Sequence, residues 1–199
     1  MKLDADNNHK DLTIIFDFDG TLLDTRILTQ YEHLFKDPPR GSDLWKRGRK
    51  EYLSHIKDCP IWEGMNDVLS YIRQHHIKTC IVTANTKDRV VTAIKAFGWK
   101  DVFANDRIVG CYALGMKRVS KDDGNAALFE KALEIMQVKA EDCIAFGNEV
   151  SDTIAAQSIG IKAFNCLWGA NENDRGIMLN DMPDITITAP KQILDIVMV

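Results

Sequence analysis

Leu12-Thr13-Ile14-Ile15-Phe16-Asp17-Phe18-Asp19-Gly20-Thr21 is the stretch whose reading decides the fold. An apolar, β-branched run stops abruptly at two carboxylates and a glycine. Residues 12–16 read as a buried strand. Side chains in a strand alternate with period two, so Asp17 and Asp19 share one face where the strand meets solvent. Gly20 lets the chain leave the sheet sharply. In open α/β sheets, ligands bind at the carboxyl ends of the strands. Two carboxylates there repel unless a proton or a cation separates them, and magnesium, a hard cation with oxygen ligands, suits the position.

Outward from this stretch the chain alternates. Residues 77–83, 142–146, 161–165 and 184–188 read as strands. Helices are expected at 64–75, 87–97, 124–137, 151–158 and 190–198. Met65, Val68, Leu69 and Ile72 recur at helical spacing, as do Val90, Val91, Ile94 and Phe97, and Leu128, Phe129, Ala132, Leu133 and Met136. Such alternation implies α/β architecture, a doubly wound parallel sheet with helices on both faces. Between the first strand and the rest, residues 26–60 read as a small helical cap. One helix runs through about Phe35 to Pro38-Pro39, and a second runs from the N-cap Ser42 to Lys57. The core domain is then 11–25 plus 61–199, and the polar residues 1–10 read as a poorly ordered tail.

Composition narrows the class. A 199-residue chain with 45% hydrophobic residues suits one domain with a small insertion. Net charge −4 argues against nucleic acid as the main partner. No apolar run approaches a membrane span. Cys59, Cys80, Cys111, Cys143 and Cys166 form neither a Cys-x-x-Cys pair nor a zinc spacing. They read as small core hydrophobes, and with no secretory signal a reducing cytoplasm is expected.

Asp17-Phe18-Asp19-Gly20-Thr21, followed by Leu22-Leu23-Asp24-Thr25, resembles the first motif of haloacid dehalogenase-like phosphatases. The resemblance implies a Rossmann-like core and a magnesium-dependent phosphatase acting on a small phosphorylated metabolite. Its helical cap is most similar to the phosphoglycolate-phosphatase-like branch. By resemblance, Asp17 is the nucleophile that forms an aspartyl-phosphate, and Asp19 is the general acid and then the base. Asp19 also sets the chain apart from the family's dehalogenating branch, which lacks a carboxylate there. A phosphotransferase of the same superfamily, and a catalytically weakened phosphate-binding protein, are the alternatives.

The family's later motifs follow in order. Ile81-Val82-Thr83-Ala84-Asn85-Thr86 closes a strand on a hydroxyl. Thr83 can donate to a phosphoryl oxygen together with backbone N–H groups of Gly20, Ala84 and the following helix. Asn85 either caps that helix or contacts substrate. The motif's lysine is Lys121, with Lys117 its rival. In Gly147-Asn148-Glu149-Val150-Ser151-Asp152 the family's form is Gly-Asp-x-x-x-Asp; Asp152 matches, but Asn148 stands where an acid is expected. The metal set is therefore Asp17 and Asp19 with Asn148, Glu149 and Asp152, where either Asn148 ligates through its amide oxygen or Glu149 turns inward. On the cap, Trp45-Lys46-Arg47-Gly48-Arg49-Lys50 follows Arg40, so Arg47 and Arg49 are candidates for a cationic wall that attracts an anionic substrate. The alternative is a solvated helical face. His33, His55, His75 and His76 show no ligand pattern.

Overall fold

A computed structural model describes residues 12–115 and 121–198; within the latter, the side chains of 121–125 lie outside the description. The expected tail and Lys117 also lie outside the described residues. In chain order the elements are β1 (Thr13–Phe16), α1 (His33–Lys36), α2 (Asp43–Ser54), α3 (Met65–Gln74), β2 (Lys78–Val82), α4 (Lys87–Phe97) and β3 (Ile108–Val109). They continue with α5 (Lys121–Met136), β4 (Cys143–Gly147), α6 (Val150–Ser158), β5 (Lys162–Cys166), α7 (Glu172–Asn180), β6 (Thr186–Ile187) and α8 (Gln192–Val197). All six strands are parallel, in the order β3-β2-β1-β4-β5-β6. The sheet is the expected Rossmann-like α/β core.

Alternation along the strands splits the core in two. Ile14, Phe16, Ile81, Ile144 and Phe146 pack toward α3, α4 and α8. Ile15, Cys80, Val82, Cys143 and Ala145 pack toward α5 and α6 through Leu128, Phe129, Ala132 and Ala156. The interior strands β1, β2 and β4 thus bury both faces, which is why these segments read as unbroken apolar runs. All five cysteines are free and buried. Burial pushes the Cys80 and Cys143 thiols up to about 12, so they behave as neutral core groups. No helix among the described residues is long and apolar enough to cross a membrane.

The insertion between β1 and β2 is helical, with one difference from expectation. Its first segment is a 3-10 helix, Thr25–Tyr31, followed by the single turn of α1. Asp24 caps it, accepting from the Arg26 N–H at 3.2 Å. Threonines and Ile27 crowd the backbone there and lower α propensity. Ser42 caps α2 as expected, accepting from the Trp45 N–H at 3.1 Å. The α2 helix crosses α1 at Gly48, where a β-carbon would sit 1.7 Å from the Leu34 carbonyl oxygen. Two further differences lie near the C-terminus. The expected strand at 184–188 shortens to β6, and α7 fills a segment with no assigned element.

Candidate active site

Asp17 leaves the sheet at the point where strand order reverses. β1 lies between β2 and β4, and the Asp17 N–H donates to the Phe146 carbonyl of β4 at 2.9 Å. This is the crevice where doubly wound sheets bind ligands. Phe18 is wholly buried among the residues that surround Phe16, so strand alternation continues past β1 and keeps Asp17 off that face. The chain then folds back on itself. The Leu22 N–H donates to Phe18, the Gly20 N–H donates to Leu23, and Gly20 has φ +87°.

Three oxygens gather beside this turn. The Thr21 hydroxyl lies 3.2 Å from Asp17 Oδ2 and 3.0 Å from Asn148 Oδ1. One hydroxyl proton serves two acceptors, and both residues are nearly buried, at 4% and 6% exposure. Three oxygens converging at this depth fit a hard cation. The Asn148 amide is oriented from its other end, where Nδ2 donates to the Gly169 carbonyl at 3.0 Å. Gly169 itself packs on the turn: a β-carbon there would lie 1.9 Å from the Gly20 carbonyl oxygen. Trp168 Nε1 donates to the Thr21 carbonyl at 3.1 Å. The loop after β5 therefore braces the loop after β1.

Glu149 and Asp152 occupy the start of α6. Glu149 is its N-cap and forms a capping box with Asp152, whose Oδ2 accepts from the Glu149 N–H at 3.3 Å. Asp152 is nearly buried, and the absent side chain of Gly147 makes room for it: a β-carbon there would meet Asp152 Oδ2 at 2.8 Å. Among the described residues no three His, Cys, Asp or Glu side chains gather as a metal cluster. The oxygen cluster instead rests on an amide.

Asp19 faces a different set of partners. Asn85 Nδ2 donates to Asp19 Oδ2 at 2.7 Å, and Arg89 of α4 forms an ion pair with Asp19 Oδ1. Thr86 rather than Asn85 is the N-cap residue of α4. Thr83 is buried, and its hydroxyl accepts from the Asn85 N–H at 3.0 Å; Ala84 is buried beside it. Arg89 is a residue of the candidate site that sequence reasoning misses. It sits next to Val90 on the inward face of α4 and is only 7% exposed, a cost that an arginine bears when paired. It also donates to the Tyr52 hydroxyl at 2.5 Å, and burial pushes that phenol up to about 12, so it stays neutral.

Arg49 and Arg47 part company. Arg49 donates to Asp88 at 2.9 Å and to Thr86 at 2.5 Å, and lies over the rings of Phe35 and Tyr52. Burial opposes ionisation of Asp88, but hydrogen bonds from Arg49 and Thr86 win and hold its carboxyl below the usual carboxylate range. Arg47 is exposed and lies outside the cleft that Arg49 lines. Lys121 begins α5.

Known proteins share this fold. The pyrophosphatase PpaX of Halalkalibacterium halodurans is 24% identical over 93% of this chain and 96% of its own. A structure described as a predicted phosphoglycolate phosphatase from Haemophilus somnus superposes with TM-score 0.71 at 17% identity, covering 95% of this chain and 98% of that one. CbbY from Rhodobacter sphaeroides, solved with phosphate, gives TM-score 0.69 at 15% identity, covering 91% and 95%. The family model for haloacid dehalogenase-like hydrolases matches residues 27–166, beginning just past the Asp17 turn. The match spans well over half of the chain, and this protein belongs to the haloacid dehalogenase-like hydrolase family.

Proposed function

We propose that this protein is a phosphomonoester hydrolase that works through an aspartyl-phosphate on Asp17. The observation that carries the reading is the convergence of Asp17, Thr21 and Asn148 at the switch point of the sheet, with Asp19 two residues on and held by a separate pair of side chains. In the first step an Asp17 carboxylate oxygen attacks phosphorus, the ester P–O bond breaks, and Asp19 protonates the departing oxygen. In the second, Asp19 takes a proton from water, the water oxygen attacks the same phosphorus, and the bond to Asp17 breaks, releasing phosphate. Thr83 and the backbone amide of Ala84 receive the phosphoryl oxygens, while the Gly20 N–H, engaged with the Leu23 carbonyl, shapes the turn instead. Lys121 offsets their charge.

Asp17 and the Asn148 amide oxygen would hold magnesium, with Asp152 behind them and Glu149 left to cap α6. The ion supplies charge neutralisation between nucleophile and phosphoryl group. Arg49 belongs to the cleft of the cap, residues 26–60. The relatives named for pyrophosphate and phosphoglycolate support a phosphoryl substrate, and place it in no single class.

The test is a panel of phosphorylated metabolites and pyrophosphate, assayed with magnesium and with chelator, beside an Asp17→Asn control. Metal-dependent release of phosphate that vanishes in the control is expected. Phosphoryl transfer to a sugar phosphate in preference to water would replace hydrolase with phosphotransferase. No turnover of any member would overturn the reading.

A further inference from the structure

Between the insertion and the core lies a cleft of about 600 Å³. That is room for a ligand of nucleotide size; a two-carbon phosphate would leave most of it empty. Its floor includes Asn85 and Arg89, the two residues that hold Asp19, so the cleft lies on the leaving-group side of the site. Its walls are aromatic: Phe35, Trp45 and Tyr52 from the insertion face Tyr112 from the core loop after β3. Phe35, Trp45 and Tyr112 are each only half-buried, which leaves ring surface at the cleft.

The cations of the cleft divide by what already engages them. Arg49 is committed to Asp88, and Arg89 to Asp19. Lys36 pairs with Glu32 at 2.5 Å. Arg40 has no carboxylate partner among the described residues. Its guanidinium lies 5.2 Å from the centre of the Tyr112 ring, and it donates to the Tyr112 hydroxyl at 2.9 Å. With the cation held at the hydroxyl end of the ring, the Tyr112 ring and the further rings of the cleft make a slot for a planar group.

We infer that the preferred substrate is a phosphomonoester whose leaving group carries a planar aromatic ring, with Tyr112 and Arg40 as its specificity-determining residues. The inference rests on the proposed chemistry at Asp17 and adds the substrate class to it.

Nucleoside 5′-monophosphates and ribose 5-phosphate share the same departing oxygen and differ in the base. Steady-state kinetics of the full chain with magnesium should therefore show kcat/KM about tenfold or more higher for uridine or adenosine 5′-monophosphate, mainly through KM. Tyr112→Ala should bring the ratio toward one, and Tyr112→Phe, which keeps the ring, should retain it. A ratio near one in the wild type, with ribose 5-phosphate hydrolysed, overturns the inference and leaves the phosphatase reading standing. If nothing is hydrolysed, the phosphatase reading fails, and calorimetric titration of Asp17→Asn still decides the cleft. Tighter binding of the nucleotide than of ribose 5-phosphate would support the slot; equal or absent binding would refute it.

Discussion

Asn148→Asp would restore the acid usual in the family, and the structure sets two opposed effects on it. Without metal the change removes a hydrogen bond. The Asn148 amide donates to the Gly169 carbonyl at 3.0 Å, and a carboxylate there would present an oxygen to an oxygen. It would also bring a second charge to the Thr21 hydroxyl that Asp17 already faces. Leaving buried polar groups unsatisfied costs about 1–3 kcal/mol. For a domain of this size that is a melting temperature lower by roughly 2–12 °C. With magnesium the sign reverses. Two unit charges about 4 Å apart are worth about 4 kcal/mol at an effective dielectric of 20. A third of that, about 1.4 kcal/mol, already tightens binding tenfold. Calorimetric melts in chelator and across a magnesium titration read both effects. The variant should melt lower than wild type in chelator, bind magnesium about tenfold more tightly, and regain stability as metal is added. An unchanged melt in chelator together with unchanged magnesium affinity would refute the reasoning, because Asn148 would then be neither tie nor ligand.

Other expectations follow from the same geometry. Asp17→Asn should lose roughly 10⁴-fold in kcat with an unaltered circular dichroism spectrum; residual turnover near wild type would rule out the nucleophile. Arg89→Met should destabilise by about 3 kcal/mol in urea unfolding, because it strips a partly buried carboxylate of its cation. Combined with Asp19→Asn the loss should be smaller than the sum, and strict additivity would mean that the pair is uncoupled. Because the Asp88 carboxyl is held below its usual range, its pairing with Arg49 contributes stability at neutral pH that is lost as pH falls through the depressed value. The difference in melting temperature between wild type and Asp88→Asn should therefore be present at pH 7 and shrink below about pH 4; a difference that grows in acid would contradict the assignment. Lys121→Met should cost more activity than Lys117→Met, and the reverse order would move the motif's lysine to 117.

The sheet is legible in the sequence because its interior strands are buried on both faces. β1, β2, β4 and β5 fall within a residue or so of the apolar runs that announce them. The α3 and α4 helices match because their apolar positions recur at 3.6 and glycine stands at an end of each, Gly64 and Gly98. The α5 helix starts earlier than expected, since Asp122-Asp123-Gly124 carries the composition of a turn. The α7 helix has no period to read: Gly176 interrupts it, and its apolar residues run consecutively. At the site, the motif residues are found by local spacing. Arg89 is not, because its burial depends on Asp19 and Tyr52, one before and one within the insertion, and nothing near it in sequence signals either. The division of labour between Arg47 and Arg49 likewise depends on where α2 docks.

The contact of Gly169 and Trp168 with the turn after β1 carries a lesson for reading mutational data. Neither side chain offers a group with which a phosphate ester would react. Even so, alanine at 169 would drive into the Gly20 backbone, and losing the indole at 168 would free the Thr21 carbonyl. A loss-of-activity scan of this protein should therefore score 168 and 169 beside Asp17, and a reader of that scan would place chemistry where there is only a buttress.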